Sequence, residues 1–398
     1  MGRFIMGIIE YVQYDRNRKP TASIEFLGLE AAKHVKSFHE SMDIYEPTPL
    51  SKMPNLAKEV GVKSIFVKDE SYRFGLNAFK ALGGSYAIAK SIHSQLDNEE
   101  FSYPSLASKK VREKLGELTF VTATDGNHGR GIAWAAKKFG HKSVVYMPKG
   151  SSKERLDNIS AEGADASITD FNYDDTVRLA EKMAKDHGWV LVQDTAWGGY
   201  TEIPKWIMQG YTTMAIEAYE QLENIKPTHI FLQAGVGSFA SSVLGFFANV
   251  YNQEKSIVTI VEPSLANCIF KTASADDGTL HKVTGDMNTI MAGLACGEPS
   301  YIAWDILKDY ADYFASIPDE VAAKGMRILG NPLSGDDRVI AGESGAAGFA
   351  FAMEILLNPK YSSLKDKMGI DENSCLLFFN TEGDTDKVNY RKIVWGNI

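Results

Sequence analysis

The stretch from Leu118 to Gly140, LTFVTATDGNHGRGIAWAAKKFG, is the unit that decides the fold. Its residues Thr119–Ala123 are apolar or β-branched and predict a buried strand, and the apolar spacing from His128 to Gly140 predicts a helix. Glycines and small residues crowd the turn between them, as they do where a backbone must approach another group closely. The stretch predicts a strand–turn–helix unit of an α/β protein.

Similar units recur along the chain on both sides of this one. The other predicted strands are Ser64–Lys68, Ser143–Met147, Ala166–Thr169, Val190–Gln193, His229–Gln233, Val258–Glu262 and Leu376–Asn380. The other predicted helices are Phe79–Gln95, Lys153–Glu162, Asp174–His187, Lys205–Gln221, Ser238–Asn252, Asp319–Leu329 and Gly345–Leu356. Alternation of this kind indicates open parallel sheets covered by helices, with ligands at the carboxyl ends of the strands.

The 398-residue length predicts two domains. We expect a large domain from residues 1–85 and 210–398 and a small mobile domain from residues 86–209, which closes over a substrate. Gly83-Gly84 and Gly210 are candidate hinges for that motion.

Composition excludes several classes of protein. The net charge of −9, with mixed signs along the chain, argues against a nucleic-acid surface. No apolar run approaches the roughly 20 residues of a membrane span, so we expect a cytoplasmic protein without a membrane partner. Three cysteines, Cys268, Cys296 and Cys375, are too few for a zinc or disulfide framework and fit reduced thiols. A reversible Cys268–Cys296 pair stays open.

The segment Gln233-Ala-Gly-Val-Gly-Ser-Phe-Ala240 follows a predicted strand and opens a helix. Backbone N–H groups and the positive helix end meet at such a point, so the segment predicts an anion cradle. It also matches the dinucleotide pattern G-x-G-x-x-A, with Glu262 at the next strand end as a ribose-binding acid. A dehydrogenase or a nucleotide sensor is therefore an alternative, and an ordinary tight turn is another.

Lys80 is flanked by Phe79, Ala81 and Leu82 and precedes two glycines. Partial desolvation in such surroundings lowers the pKa of an amine and makes it a nucleophile. A lysine that lies along a helix surface with its amine in water is the alternative interpretation.

Carboxylates follow three of the predicted strands. Asp125 lies in the turn of the opening stretch, Asp194 follows Val190–Gln193, and Thr381-Glu-Gly-Asp-Thr-Asp386 follows the last strand. Each has a structural alternative: Asp125 as a helix N-cap, Asp194 as a loop cap, and the last segment as a solvated acidic turn or cation site. His128 fits a structural role or a place near a cofactor.

Taken together, the early lysine, the Gly-Asn-His turn, the glycine-rich loop and the Thr-bearing C-terminal turn resemble the fold-type II pyridoxal-phosphate enzymes. That family includes serine and threonine dehydratases, threonine synthase and the tryptophan synthase β-subunit. Dehydratases typically read Ser-Ala-Gly-Asn-His where this chain reads Thr124-Asp-Gly-Asn-His128. With VQDTAWGGYTEIPKWIMQGY, IMAGLACGEPS and NTEGDTD, this departure resembles the branch of the family that eliminates ammonia from 2,3-diaminopropionate, and the similarity runs from about Pro47 to Trp395.

The resemblance implies a role for each matching residue. Lys80 would bind pyridoxal 5′-phosphate covalently and accept the Cα proton of one substrate enantiomer, and Asn127 would hydrogen-bond the O3′ of the pyridine. Thr385 would face the ring nitrogen, with Thr381 as the alternative. The phosphate would be bound by Gly235, Val236, Gly237 and Ser238.

The resemblance also implies a chemical role for Asp125 and Asp194. Ammonia leaves the substrate Cβ readily only from a protonated nitrogen, so Asp125, with Asp194, would bind the β-ammonium. Asp125 would also take the Cα proton of the D-enantiomer. The implied reaction yields pyruvate and two ammonia from D- or L-2,3-diaminopropionate in a homodimer. A serine or threonine dehydratase or a cysteine desulfhydrase is the nearest alternative.

Overall fold

The computed structural model describes residues 8–14, 19–124, 126–252 and 254–396. Its strands form two sheets. The strands are β1 (Glu10–Gln13), β2 (Leu50–Lys52), β3 (Ser64–Asp69), β4 (Thr119–Ala123), β5 (Lys142–Met147), β6 (Asp165–Ile168), β7 (Val190–Leu191), β8 (His229–Gln233), β9 (Ile257–Pro263), β10 (Tyr313–Ile317) and β11 (Cys375–Asn380).

The larger sheet has the order β1-β10-β9-β8-β11-β3-β2. Its five inner strands run parallel, whereas β1 pairs with β10 and β2 pairs with β3 in the antiparallel sense. Every residue of β8 and β11 is buried, as expected for strands covered on both faces. The register places Asn380 beside Asp69, so the carboxyl ends of β11 and β3 lie at one edge.

The smaller sheet has the order β6-β5-β4-β7 and is parallel throughout. It contains the opening strand–turn–helix unit at its centre. All of its strands fall within the predicted small domain, and all strands of the larger sheet fall outside it. The exact boundaries of the two domains stay a prediction.

Helices cover both sheets. They are α1 (Leu29–Glu40), α2 (Pro54–Val60), α3 (Lys80–His93), α4 (Tyr103–Leu106), α5 (Lys109–Leu115), α6 (Asn127–Phe139), α7 (Lys153–Ala161), α8 (Tyr173–His187), α9 (Glu202–Gln221), α10 (Ser238–Val250), α11 (Cys268–Ala275), α12 (Tyr301–Tyr310), α13 (Asp319–Gly330), α14 (Ala347–Leu357), α15 (Ser362–Met368) and α16 (Lys387–Trp395). Among the described residues no helix combines the length and the apolar composition that a membrane crossing requires.

The α/β architecture with parallel sheets is confirmed. Sequence patterns missed β1, β2 and β10. The first two are short and lie at the sheet edges, where the pattern of a buried strand is weakest.

The candidate hinge glycines lie where α3 and α9 cross. A Cβ atom on Gly83 would lie 2.6 Å from the ring of Tyr211, and one on Gly210 would lie 2.5 Å from the carbonyl oxygen of Leu82. These glycines therefore let the two helices pack with their backbones close together. A hinge role for them stays a prediction.

Candidate active site

A cavity lies where the carboxyl ends of strands from both sheets face each other. Its walls come from the start of α3, the turn after β4, the segment after β7, the loop after β8 and the segment after β11. The lining residues include Phe79, Lys80, Thr124, Asn127, His128, Tyr173, Asp194, Gln233, Gly235, Val236, Gly237, Ser238, Cys296, Ser344, Thr381 and Glu382. The cavity thus brings together most of the residues that the sequence singled out.

Lys80 is the first residue of α3, and the helix start is held in place by a hydrogen bond from the Phe79 N–H to the Thr381 carbonyl, 3.1 Å long. Its ammonium donates to Asp194 Oδ2 at 2.6 Å. Burial favours the neutral amine, whereas the negative charge of Asp194 and the hydrogen bond to its carboxylate favour the ammonium, and the pKa of Lys80 is held above its ordinary value. The expected lowering of this pKa is therefore wrong for the cofactor-free protein, because the sequence does not show which carboxylate meets the lysine.

Asp194 is the acidic half of this pair. Burial opposes its ionisation, yet the charge of Lys80 and the hydrogen bond from Lys80 favour it, and the pKa of Asp194 is lowered to about 2. Its main-chain carbonyl accepts a 2.6 Å hydrogen bond from the hydroxyl of Ser238. Asp194 thereby connects the lysine to the glycine-rich loop.

The glycine-rich loop between β8 and α10 needs its glycines. Gly237 has a φ of 99°, a backbone conformation that residues other than glycine rarely adopt. A Cβ atom on Gly235 would lie 3.0 Å from the Cys296 sulfur. Because α10 begins at Ser238, its first N–H groups lack intrahelical acceptors and point to this loop. The loop has the geometry of an anion cradle.

Asn127 joins the two sheets across the cavity. Its amide donates to Glu382 Oε2, and Glu382 Oε1 accepts from the N–H of Ser344 at 3.1 Å. Burial raises the pKa of Glu382, and burial together with Glu382 raises the pKa of Glu343 to about 7. The interpretation of this turn as solvated does not hold for Glu382, which is buried.

The two candidate threonines differ in position. Thr381 lines the cavity, and its hydroxyl accepts a 2.9 Å hydrogen bond from Gln233 Nε2. Thr385 is half-buried and does not belong to the described lining; its N–H donates to the carbonyl of Gly383 at 2.8 Å. Asp125 lies outside the described residues, although Thr124 on one side of it lines the cavity.

The carboxylate of Glu262 already accepts hydrogen bonds from the protein backbone. Its carboxylate accepts from the N–H groups of Ile269 at 3.0 Å and Phe270 at 2.6 Å, at the start of α11. Burial raises the pKa of Glu262 to about 8. The arrangement speaks against a ribose-binding acid and hence against the dehydrogenase alternative.

No disulfide bond joins Cys268 and Cys296 in the described structure, and Cys296 lines the cavity. Sequence reasoning gave no role in catalysis or in cofactor binding to Glu382, Ser344 or Gln233. A signal was available for two of them, because Gln233 ends β8 and Glu382 follows β11, at the sheet edge where ligands bind.

The donors around the cavity fit pyridoxal phosphate. An amine, a cradle for a phosphate and side-chain amides and hydroxyls for a polar ring surround one space. The family model for pyridoxal-phosphate dependent enzymes matches residues 2–366. The chain belongs to this family.

Comparison with relatives and solved structures shows which members of this family the chain resembles. The chain is 50% identical over 397 residues to the diaminopropionate ammonia-lyase of Salmonella typhimurium, and the match covers 98% of each chain. It is similar in structure to holo diaminopropionate ammonia lyase from Escherichia coli, with a TM-score of 0.91, 46% identity and coverage of 98% of this chain and 97% of that one. A structure of the same enzyme in complex with an aminoacrylate-PLP azomethine reaction intermediate gives a TM-score of 0.89 at 46% identity and the same coverage.

Proposed function

We propose that this chain is a pyridoxal-phosphate-dependent ammonia-lyase that converts 2,3-diaminopropionate and water into pyruvate and two ammonia. The observation that carries the proposal is the ion pair between Lys80 and Asp194 inside the cavity. With the cofactor bound through Lys80, this nitrogen would no longer be an ammonium that offers three N–H donors to Asp194. A substrate with a second ammonium, on Cβ, supplies a replacement, whereas a hydroxy amino acid does not.

Pyridoxal phosphate, when bound, supplies the electron sink that stabilises negative charge at Cα. We propose that the N–H groups and hydroxyl of Gly235, Val236, Gly237 and Ser238 bind its phosphate, since they form the cradle. Asn127 would orient the ring hydroxyl, held in turn by Glu382. For the ring nitrogen the sequence predicted Thr385, with Thr381 as the alternative. We propose Thr381, because it lies in the cavity wall and Thr385 does not.

Two bases are needed for two enantiomers, because their Cα protons point to opposite faces of the cofactor ring. We propose Lys80 for one face and Asp125 for the other, the latter from its sequence position beside Thr124. Asp194 would hold the β-nitrogen as an ammonium, so that it leaves as neutral ammonia.

The first experiment is an absorbance spectrum of the purified protein with pyridoxal phosphate, followed by a coupled pyruvate assay on D- and L-2,3-diaminopropionate. We expect a violet band that changes with substrate and pyruvate from both enantiomers. Pyruvate from serine or cysteine alone would instead support the dehydratase or desulfhydrase alternative. Absence of a cofactor band would contradict the proposal entirely.

An Asp125→Asn variant tests the assignment of the two bases. We expect it to lose turnover of the D-enantiomer by a factor of roughly 10² or more, as for removal of a general base, with a smaller loss on the L-enantiomer. Equal losses on both enantiomers would contradict the two-base proposal.

We also propose that the chain forms a homodimer in the cytoplasm, on the basis of the family resemblance. Sedimentation velocity of the cofactor-loaded protein tests the assembly, and a monomer mass would exclude it.

A further inference from the structure

His128 presents an unused hydrogen-bond acceptor to the cavity. Its Nε2 lies 2.9 Å from the carbonyl oxygen of Val192. A carbonyl only accepts, so Nε2 carries the proton, and the Nδ1 of the neutral ring bears a lone pair. Within the described part of the chain, this Nδ1 is buried and has no hydrogen-bond partner. An unpaired buried acceptor is costly, which points to a ligand that supplies the donor.

The neighbour of this atom is Asp194. Nδ1 of His128 and Oδ2 of Asp194 lie 3.9 Å apart, and both residues line the cavity. Burial, followed by the charge of Lys80, lowers the pKa of His128 against the opposing effect of Asp194, so the ring stays neutral. Two acceptors therefore lie side by side, and the cofactor-free protein already places the Lys80 ammonium 2.6 Å from one of them.

We propose that His128 Nδ1 and the Asp194 carboxylate together accept hydrogen bonds from the β-ammonium of the substrate, and that His128 thereby selects β-amino over β-hydroxyl or β-thiol substrates. This inference rests on the proposed function. One nitrogen with hydrogen bonds of about 2.9 Å reaches both acceptors. An ammonium has three donors to share, whereas a hydroxyl or thiol has one and leaves an acceptor unpaired.

Two variants separate this role from a structural one. In His128→Gln the amide reaches the position of Nε2, so it can still donate to Val192, but the acceptor at Nδ1 is gone. In His128→Asn the amide oxygen replaces Nδ1, but the bond to Val192 is lost. The test is the ratio of kcat/KM for 2,3-diaminopropionate to kcat/KM for β-chloroalanine, whose β-substituent has no N–H or O–H to donate.

We expect His128→Gln to lower this ratio by roughly 10-fold or more through a higher KM for 2,3-diaminopropionate. His128→Asn should keep the ratio near that of the unmodified enzyme even if the protein melts at a lower temperature. An unchanged ratio in His128→Gln, or a larger loss of ratio in His128→Asn, would overturn the inference. If His128→Gln does not bind the cofactor, the ratio of the two kcat/KM values is measured in folded His128→Asn alone. A fall in that ratio then overturns the inference.

The failure of this inference is distinct from failure of the proposed function. An unmodified enzyme that eliminates chloride from β-chloroalanine but does not convert 2,3-diaminopropionate contradicts the proposed function. An unmodified enzyme that converts both, with an unchanged ratio in His128→Gln, contradicts only the role of His128.

Discussion

Two of the buried groups of charged residues in the described structure differ in how completely their charges and hydrogen bonds are satisfied. The first is the core network, which we define as Lys68, Glu70, Arg73 and Glu217. The second is the cavity pair of Lys80 and Asp194. The guanidinium of Arg73 donates to both Glu70 and Glu217 at 2.8 Å, and Lys68 lies 2.6 Å from Glu217.

The core network is closed to solvent and balanced in charge. The side chains of Lys68, Arg73, Glu70 and Glu217 are fully buried, with two positive and two negative charges among them. In the cavity pair, the side chain of Lys80 is 19% exposed, and the neighbouring His128 Nδ1 has no partner in the described chain.

The comparison shows that burial and shifted pKa values do not by themselves mark a functional site. Burial opposes the ionisation of Glu217 just as it does that of Asp194, and neighbouring cations lower both pKa values to about 2. Two features distinguish the cavity pair. The Nδ1 acceptor of His128 beside it is unsatisfied, and its lysine is able to bind a cofactor. The core network instead connects β3, and the segment from Glu70 to Arg73 that follows it, to α9.

Replacing Glu217 with alanine should have the largest effect on stability. It leaves Arg73 and Lys68 uncompensated in the core, and we expect the free energy of unfolding to fall by about 3–5 kcal/mol. Urea unfolding of the cofactor-loaded enzyme measures this. The matched control on the same helix is Glu220→Ala, whose side chain is 47% exposed and pairs with Lys36, and which should cost at most about 1 kcal/mol. Similar losses in both variants would contradict a structural role for the core network.

Replacing Asp194 with asparagine should chiefly affect the reaction. It removes a charged acceptor for the β-ammonium, so we expect kcat/KM for 2,3-diaminopropionate to fall roughly 10- to 150-fold, corresponding to about 1.5–3 kcal/mol. The loss on β-chloroalanine should be smaller, because its β-substituent carries no charge. Asp175→Asn, at an exposed ion pair with Arg178, is the control. Equal losses on both substrates would make Asp194 a structural residue like Glu217.

Acid titration of the cofactor-free protein should show the smallest effect. Because the pKa of Asp194 is lowered to about 2 in the folded state, its contribution is present above its unfolded pKa of about 3.9 and is lost as the pH falls through about 2. We expect a contribution of roughly 2 kcal/mol to the unfolding free energy. Urea unfolding between about pH 2 and pH 6 should show a weaker pH dependence in Asp194→Asn than in the unmodified chain. A parallel dependence in both would show that Lys80 does not stabilise the Asp194 carboxylate.

Much of the fold was predictable because its signals are local. The inner strands of parallel sheets are apolar along their whole length, and the bounds of β4 and β8 agree with those predicted. Edge strands such as β1 alternate weakly and were missed. Residues at strand ends were recognised as candidates, and the structure places Lys80, Asn127, Asp194 and the glycine-rich loop around one cavity.

Partnerships between distant residues were not predictable. Nothing in the spacing of Lys80 and Asp194 shows that they meet, so the pKa of Lys80 was expected to fall and is instead raised. A solvated turn was one interpretation of the acidic C-terminal segment, yet Glu382 is buried and accepts a hydrogen bond from Asn127. Glu262 matched a ribose-binding position, yet it caps α11.

The sequence by itself determined the α/β architecture, the family and the residues able to carry the chemistry, because hydrophobic periodicity, turn glycines and residue types are properties of neighbouring positions. Only the tertiary structure decided which charges are paired, which acceptors remain unpaired and which threonine lines the cavity. The physical reason is that electrostatic energy and hydrogen bonding depend on distance and burial in space, and residues 114 positions apart along the chain, such as Lys80 and Asp194, come within 2.6 Å only when two sheets face each other.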